Sequence, residues 1–264
     1  MTATIGTAHA PDSAGHPPGA DEWQLRCELA ATYRLVAHFR MTDLIFTHIS
    51  LRLPGPEHHF LINPYGLLFE EITASSLVKI DLDGSPVEPT PHSVNPAGFV
   101  IHSAIHRSRG DAHCVLHTHS RSGCAVAALE SGLLPVNQMS MEFYDQVAYH
   151  DYEGIALDLD EQARLVADLG ARPAMILRNH GLLTVGESAG QAFLRMYYLD
   201  KACEIQIAAA AAGALHLPPV EVCERTAGQF AGTVSGDYAD PEANDLAWTA
   251  LLRLLDRIAP DYAT

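Results

Sequence analysis

The sequence predicts an α/β fold in which one sheet is covered by helices. Segments with helical periodicity and segments with strand-like alternation follow one another along the whole chain, which is typical of a sheet packed between helices. The chain has 264 residues, of which 48% are apolar, so it can bury a substantial core. We find no internal repeat and no interior linker. We therefore expect a disordered tail at residues 1–20 and one domain over residues 21–264 that ends in helices.

The first elements follow from local patterns. A helix is predicted at residues 21–40, because Asp21 can cap its first turn and apolar residues recur along one face. Residues 45–53 alternate as a strand, with a hairpin partner at 58–63 and then a turn, Asn63-Pro64-Tyr65-Gly66. Residues 132–144 have no clear periodicity and stay unassigned. The other predicted elements are a helical turn at 71–77, strands at 78–82, 113–120 and 147–152, a strand pair within 174–185, and helices at 97–109, 123–130, 160–169, 188–212, 220–230 and 241–258.

Charge and cysteine content exclude several classes of protein. The 32 acidic residues exceed the 16 basic residues by 16, and such a surface repels nucleic acid. Five widely spaced cysteines without a CxxC pair are typical of a reduced cytoplasmic protein. The N-terminus lacks the pattern of a signal peptide, and no uncharged apolar run reaches the roughly 18 residues of a membrane span. We expect a cytoplasmic protein with a small-molecule substrate and with neither nucleic acid nor membrane as a partner.

Three histidines form the candidate functional site. His117 and His119 lie at i and i+2 at the end of an apolar strand, so their side chains point to the same side. His180 ends a second apolar run, directly before Gly181. Imidazole is the commonest metal ligand in proteins, and two strand ends could bring three of them to one divalent cation. An exposed His-X-His pair without a metal is the alternative, because the chain has fifteen histidines.

The order of motifs resembles the class II aldolase/adducin family, in particular a head domain of the fuculose-phosphate aldolase type. The resemblance covers residues 22–206 and implies a three-layer α/β/α fold around a mainly antiparallel sheet. It also implies a homotetramer with sites at subunit interfaces, and it assigns His117, His119 and His180 as the metal ligands. The motifs that carry it are Thr47-His48-Ile49-Ser50, Asn63-Pro64-Tyr65-Gly66, residues 75–81 with Asp83-Gly84, His102 with Ile105-His106, His117-Thr118-His119-Ser120 and Asn179-His180-Gly181-Leu182-Leu183.

Two departures from the family pattern affect the substrate. Sugar-phosphate aldolases of this family carry Ser-Ser-Glu, or a similar carboxylate, where this chain has Pro96-Ala97-Gly98. Gly98 cannot act as ligand or base, and the phosphate-holding serines are absent. His48 takes the position of a substrate-contacting Asn. We therefore expect a substrate without phosphate, bound by His48 and by Asn63, Tyr65 and Gly66 of the turn. His48 could contact a substrate carboxylate, and a structural hydrogen-bonding histidine is the alternative.

The missing carboxylate leaves the proton carrier open. Glu142 could replace it as base or fourth ligand, and Tyr144 could protonate a departing carbanion. An ordinary surface Glu and a half-buried Tyr are the alternatives. His102 and His106 have the i, i+4 spacing of a metal pair but lack the Glu of an H-E-x-x-H motif, so we interpret them as packing and capping residues.

Three functions are consistent with these residues. The first is a carbon–carbon lyase, of aldolase or decarboxylase type, that uses one divalent cation on a hydroxy-carbonyl compound; Zn²⁺ is favoured, and Fe²⁺ or Mn²⁺ is the alternative. The second is a mononuclear iron oxygenase that cleaves an α-keto or hydroxy acid side chain, as in family members from antibiotic pathways. The third is a non-catalytic scaffold like the adducin heads, which would have no need for intact ligand histidines.

Overall fold

The computed structural model describes residues 21–55, 58–154, 160–233 and 243–264. The predicted tail at 1–20 lies outside this part of the chain. The first helix, α1 (Glu22–His38), begins where the sequence predicts, since the Asp21 carboxylate accepts a hydrogen bond from the Gln24 amide at 2.8 Å. None of the helices described is both long and apolar enough to cross a membrane.

In the described part of the chain, seven strands, numbered β1 to β7 along the chain, form one sheet in the order β3-β2-β1-β4-β7-β6-β5. All neighbours are antiparallel except β5 and β6, which confirms the expected mainly antiparallel sheet. Most strands are shorter than predicted, because loop residues at their ends share the alternating pattern without pairing. The strands are β1 (His48–Arg52), β2 (Phe60–Ile62), β3 (Val78–Ile80), β4 (Cys114–Thr118), β5 (Val147–His150), β6 (Ala174–Leu177) and β7 (Gly181–Gly186).

Helices cover both faces of the sheet, which confirms the three-layer fold. The other helices are α2 (Pro96–Ser108), α3 (Arg121–Ala127), α4 (Gln138–Glu142), α5 (Glu161–Leu169), α6 (Ala189–Ala212), α7 (Val220–Phe230) and α8 (Ala243–Ile258). One face of the sheet packs against α1, α3 and α6 in the larger apolar core, and α8 joins this core by packing against α1 and α6. The opposite face packs against α2 and α5, with Ile105 and Leu165 against Val115 and Leu183.

The alternation of β1 and β4 decides which histidines face α2. Ile49 and Leu116 point into the larger core, so their neighbours His48 and His117 point to the α2 face. His48 and His117 are also register partners on the adjacent strands, which brings their ring centroids to 5.1 Å. The end of the sheet where β4 finishes and β7 begins therefore carries both side chains.

The segment without clear periodicity, 132–144, contains the short helix α4. Asn137 caps it by accepting a hydrogen bond from the Ser140 amide at 3.0 Å. α4 packs against α6 and α7 rather than against the end of the sheet that carries His117. Its five residues are too few to show a helical period in the sequence.

Candidate metal centre

The three predicted ligands meet at one point. His117 is the penultimate residue of β4, and His119 lies one residue beyond the strand. His180 closes the turn between β6 and β7. One ligand atom from each side chain lies within 4.8 Å of those of the other two. Their ring centroids are 4.7–4.8 Å apart. Spacing and strand periodicity suggested this grouping, and the family resemblance assigned it.

The hydrogen bonds of the outer ring nitrogens determine where the cluster can bind. His117 Nδ1 donates to the Leu182 carbonyl at 2.9 Å, and His119 Nδ1 donates to the Asp43 carboxylate at 2.9 Å. Because both acceptors can only accept, each Nδ1 carries the hydrogen, and in the neutral rings each Nε2 carries a lone pair. These two Nε2 atoms face each other at 2.9 Å. Two lone pairs at that distance repel, and a cation between them removes the repulsion, so the donor set fits a metal.

Burial keeps His117 and His180 neutral. Burial and the neighbouring imidazoles hold the pKa of His117 well below its ordinary value, and they lower the pKa of His180 to about 4. A neutral imidazole is the form that binds a metal. Within the described residues, no carboxylate oxygen belongs to this group of ligand atoms.

The absence of a side chain at Gly181 leaves space for the histidine cluster. A Cβ at this position would overlap the Thr118 carbonyl oxygen and would lie 3.0 Å from Cδ2 of His119. Asn179, two residues earlier, has the left-handed φ of 54° and donates its amide to the Ala127 carbonyl at 3.0 Å. The Asn-His-Gly sequence therefore forms a turn that places the His180 ring beside those of His117 and His119, while the backbone of β7 stays paired with β4.

Asp43 could not be identified from the sequence pattern. It lies in the loop after α1, where Arg40, Leu44 and Thr47 all have left-handed φ values between 49° and 72°. This loop brings the carboxylate to His119 across 76 positions of the chain. The Asp43 side chain is 43% exposed and that of His119 is 23% exposed, so this is the open side of the cluster.

A second group of histidines lies beside the first on the α2 face. His48 Nδ1 is 2.8 Å from His102 Nε2, and the Ser50 hydroxyl lies 2.6 Å from His102 Nδ1 and 2.7 Å from His106 Nε2. His106 Nδ1 in turn donates to the Ala112 carbonyl at 2.9 Å. All four side chains are at most 3% exposed. His102 and His106 thus do pack inside, as interpreted, but they form a hydrogen-bonded row, here called the histidine row, rather than a helix cap.

Gly98 and His48 occupy the same space. A Cβ on Gly98 would lie 2.6 Å from Cδ2 and 2.8 Å from Cγ of His48. Since a real Cβ never comes so close, any residue other than glycine would displace the imidazole. The ring of His48 therefore fills the position from which a side chain at residue 98 would reach toward His117.

The predicted turn lies at the same end of the sheet. Ile62 pairs with Ser50, so Asn63 and Pro64 follow on beside Ile49 and His48. The Asn63 amide oxygen accepts from the Tyr33 hydroxyl at 2.9 Å, which ties the turn to α1. Tyr65 is 36% exposed, and Gly66 has a φ of 106° that favours glycine. Their role in substrate binding stays a prediction.

The structure does not bring Glu142 and Tyr144 to the histidines of the same chain. Glu142 is half-buried near Arg195, whose guanidinium donates to the Val185 carbonyl. Val185 is four residues along β7 from Gly181, about 14 Å at roughly 3.4 Å per residue. Burial raises the pKa of Glu142 to about 7 despite the attraction of Arg195. Tyr144 lines a cleft of about 580 Å³ against α7. Their catalytic role stays a prediction, and it requires the histidines of a neighbouring subunit.

Comparison with known proteins adds the family. The sequence profile of the "Class II Aldolase and Adducin N-terminal domain" matches residues 27–207. The chain belongs to the class II aldolase and adducin family. An aldolase II superfamily protein from Pseudomonas syringae has a crystal structure with a TM-score of 0.85 and 53% identity, covering 92% of this chain and 96% of that one. The resemblance seen in the sequence motifs is thereby confirmed.

Two further relatives show how widely the family varies. The L-fuculose 1-phosphate aldolase from Glaciozyma antarctica has a TM-score of 0.80 and 28% identity, covering 95% of this chain and 98% of that one. Alpha-adducin from Mus musculus is 41% identical over 268 residues, which cover 98% of this chain and 36% of that protein. Membership of this class II aldolase family supports lyase chemistry of the aldolase type, and the adducin relatives allow a scaffold role.

Proposed function

We propose that the protein is a divalent-metal-dependent carbon–carbon lyase, of aldolase or decarboxylase type, that acts on a hydroxy-carbonyl compound without phosphate. The observation that carries the proposal is the pair of Nε2 atoms of His117 and His119, which face each other at 2.9 Å while both Nδ1 atoms donate to acceptors. A cation is the group that such an arrangement fits. A scaffold would gain nothing from holding two lone pairs together.

His117, His119 and His180 would hold the cation. When bound, it would supply Lewis-acid polarisation of a substrate carbonyl, with three neutral ligands leaving its charge uncompensated. The chain's own residues hold the ligands in place. The Leu182 carbonyl orients the ring of His117, and the Asp43 carboxylate orients that of His119 and makes it a more basic ligand. Zn²⁺ is the favoured ion, and Fe²⁺ and Mn²⁺ are alternatives that the same ligands accept.

The surroundings of the cluster support a substrate without phosphate. His48 fills the space in front of Gly98, where the sugar-phosphate aldolases carry a carboxylate. The net charge of −16 does nothing to attract a phosphorylated compound. Asn63, Tyr65 and Gly66 are proposed to contact the substrate, since their turn begins beside His48. We also propose a cytoplasmic homotetramer, in which Glu142 and Tyr144 of one subunit would serve the histidines of another.

A scaffold function like that of adducin is the second candidate. The observation in its favour is the 41% identity to alpha-adducin along 98% of this chain. An iron oxygenase is the third, because the described cluster has three histidines and no carboxylate. The three functions differ in the metal that the protein carries when it is isolated.

Elemental analysis of protein purified without oxygen tests the proposal. We expect about one zinc or manganese per chain in the wild type and a loss of most of it in His180→Ala, since two imidazoles hold a labile metal poorly. His216→Ala, which removes an exposed histidine, is the matched control and should keep full metal content. Iron would favour the oxygenase. Protein without any metal, or full occupancy in His180→Ala, would refute the proposed centre.

A further inference from the structure

The histidine row has a fixed direction, and the Ala112 carbonyl sets it. This oxygen can only accept, so His106 Nδ1 carries a hydrogen, and in the neutral ring its Nε2 is an acceptor. The single hydroxyl hydrogen of Ser50 must then go to His106 Nε2. The Ser50 oxygen in turn accepts from His102 Nδ1, which leaves His102 Nε2 as an acceptor for the hydrogen on His48 Nδ1.

The environment keeps these rings neutral. Burial, together with the positive charge of Arg52, lowers the pKa of His106 to about 3, and burial holds the pKa of His102 well below its ordinary value. The face of His106 is covered by Phe60, with the rings stacked at 4.4 Å. None of the hydrogen bonds that the row makes in the described part of the chain goes to a carboxylate. A neutral ring has one donor and one acceptor, so each link in the row fixes the next.

The last residue of the row, His48, lies beside the candidate metal centre. The row uses Nδ1 of His48, so a contact with a bound group falls to the other ring nitrogen, Nε2. The ring lies 5.1 Å from that of His117, its register partner. We propose that the histidine row fixes His48 as a hydrogen-bond acceptor toward the group bound at the three ligand histidines, and thereby selects a ligand that offers a hydroxyl hydrogen.

This inference rests on the proposed function for its ligand and names the substrate class more closely. An acceptor at His48 favours a hydroxyl next to the metal-binding oxygen and repels a carboxylate oxygen. It therefore replaces our expectation that His48 contacts a substrate carboxylate. His48 is a specificity-determining residue in this proposal, and Ser50, His102 and His106 are positioning residues that act through it.

The hydrogen positions themselves are the first test. Neutron crystallography of the deuterated wild-type protein without metal should show deuterium on Nδ1 of His48, His102 and His106 and none on their Nε2 atoms. Deuterium on Nε2 of His48 would overturn the proposal. This measurement needs no activity and no variant, so it decides the direction of the row whether or not the protein is a lyase.

Ligand selectivity is the second test. Glycolate and methoxyacetate can both chelate Zn²⁺ through two oxygens, but only glycolate has a hydroxyl hydrogen to donate. The ratio of their Kd values on zinc-loaded protein, measured by calorimetry, should favour glycolate in the wild type. One hydrogen bond is worth about 0.5–1.5 kcal/mol, so the ratio should shrink by roughly 2–10-fold in His48→Leu. Ser50→Ala, which breaks the row without touching the ligand, should shrink it as well.

His113→Gln is the matched control, because His113 lies near the opposite end of β4 from His117. Its ratio should equal that of the wild type. An unchanged ratio in both His48→Leu and Ser50→Ala, with zinc content intact, overturns the selective role. If zinc-loaded protein binds neither compound, the proposed function fails together with the ligand preference, while the neutron map still decides the direction of the row.

Discussion

Removing the carboxylate of Asp43 should weaken metal binding without unfolding the protein. Its hydrogen bond to His119 Nδ1 is 2.9 Å long, and loss of such a partner to a metal-bound histidine typically costs 10–100-fold in affinity. Because the Asp43 side chain is 43% exposed, water can replace part of the interaction, and we expect the lower end, about tenfold. Asp43→Asn keeps an oxygen acceptor and should lose less than Asp43→Ala.

The loss can be measured in two independent ways. A chelator competition should give a zinc Kd about tenfold higher for Asp43→Ala. At a zinc concentration of 100 times the wild-type Kd, bound metal stabilises the wild type by about 2.7 kcal/mol and the variant by about 1.4 kcal/mol. Zinc should therefore raise the Tm of the variant by roughly half as much. Asp83→Asn is the control, since Asp83 lies in an exposed turn away from the cluster.

An unchanged zinc Kd in Asp43→Ala would refute the reasoning, because it would mean that the ring of His119 needs no support. A lower Tm in the absence of zinc, with an unchanged increase on adding zinc, would equally contradict it. That result would mean that Asp43 stabilises the loop at 40–47 and does not support metal binding.

Three further predictions concern other parts of the site. Gly181→Ala should lose zinc and destabilise the protein by roughly 1–3 kcal/mol, since its Cβ would overlap Thr118, whereas Gly110→Ala, with nothing within 4 Å, should change neither zinc content nor denaturation midpoint. The pKa of Glu142 is raised from 4.5 to about 7 in the folded state. Its contribution to the free energy of unfolding is therefore present below pH 4.5 and is lost as the pH rises to 7. Urea titrations should show this loss, up to about 3 kcal/mol, in the wild type and not in Glu142→Gln. Fuculose or ribulose phosphates should be turned over far below the ordinary kcat of about 1–10³ s⁻¹, and a coupled aldehyde assay that finds ordinary rates would disprove the absence of a phosphate site.

The fold class and the grouping of His117, His119 and His180 could be predicted, because they follow from local patterns and from family motifs. Apolar alternation marked β4 and β7, and i, i+2 spacing placed His117 and His119 on one side of the strand. The family motifs then implied the three layers and the mainly antiparallel sheet, whereas the order of the strands came from the structure. Each of these inferences needed only neighbouring residues or a known motif.

The remaining residues depend on contacts between distant parts of the chain. Asp43 reaches His119 through a loop of left-handed residues that no periodicity predicts. The histidine row joins β1 to α2 across more than 50 positions. One pattern in the sequence could have indicated the histidine row. His48 and Ser50 have the i, i+2 spacing of one strand face, and His102 and His106 have the i, i+4 spacing of one helix face. The two pairs can therefore meet where the strand and the helix pack together.

Glu142 shows the opposite limitation. A dense group of polar side chains in an unassigned segment suggested a catalytic loop. The segment instead contains a capped helix, and the carboxylate lies half-buried near Arg195 toward the other end of the sheet. Residue type indicated what Glu142 could do, but only the topology shows which surface it can reach.

The contact between Gly98 and His48 restricts the order in which this site can change. With His48 in place, a carboxylate at residue 98 would collide with its ring at 2.6 Å, so that substitution would be harmful by itself. Asparagine at residue 48 would have to come first, and it would break the histidine row before any new carboxylate could compensate. The two departures from the sugar-phosphate aldolases are therefore one coupled difference. A change from one kind of site to the other within this fold therefore requires substitutions at both residues.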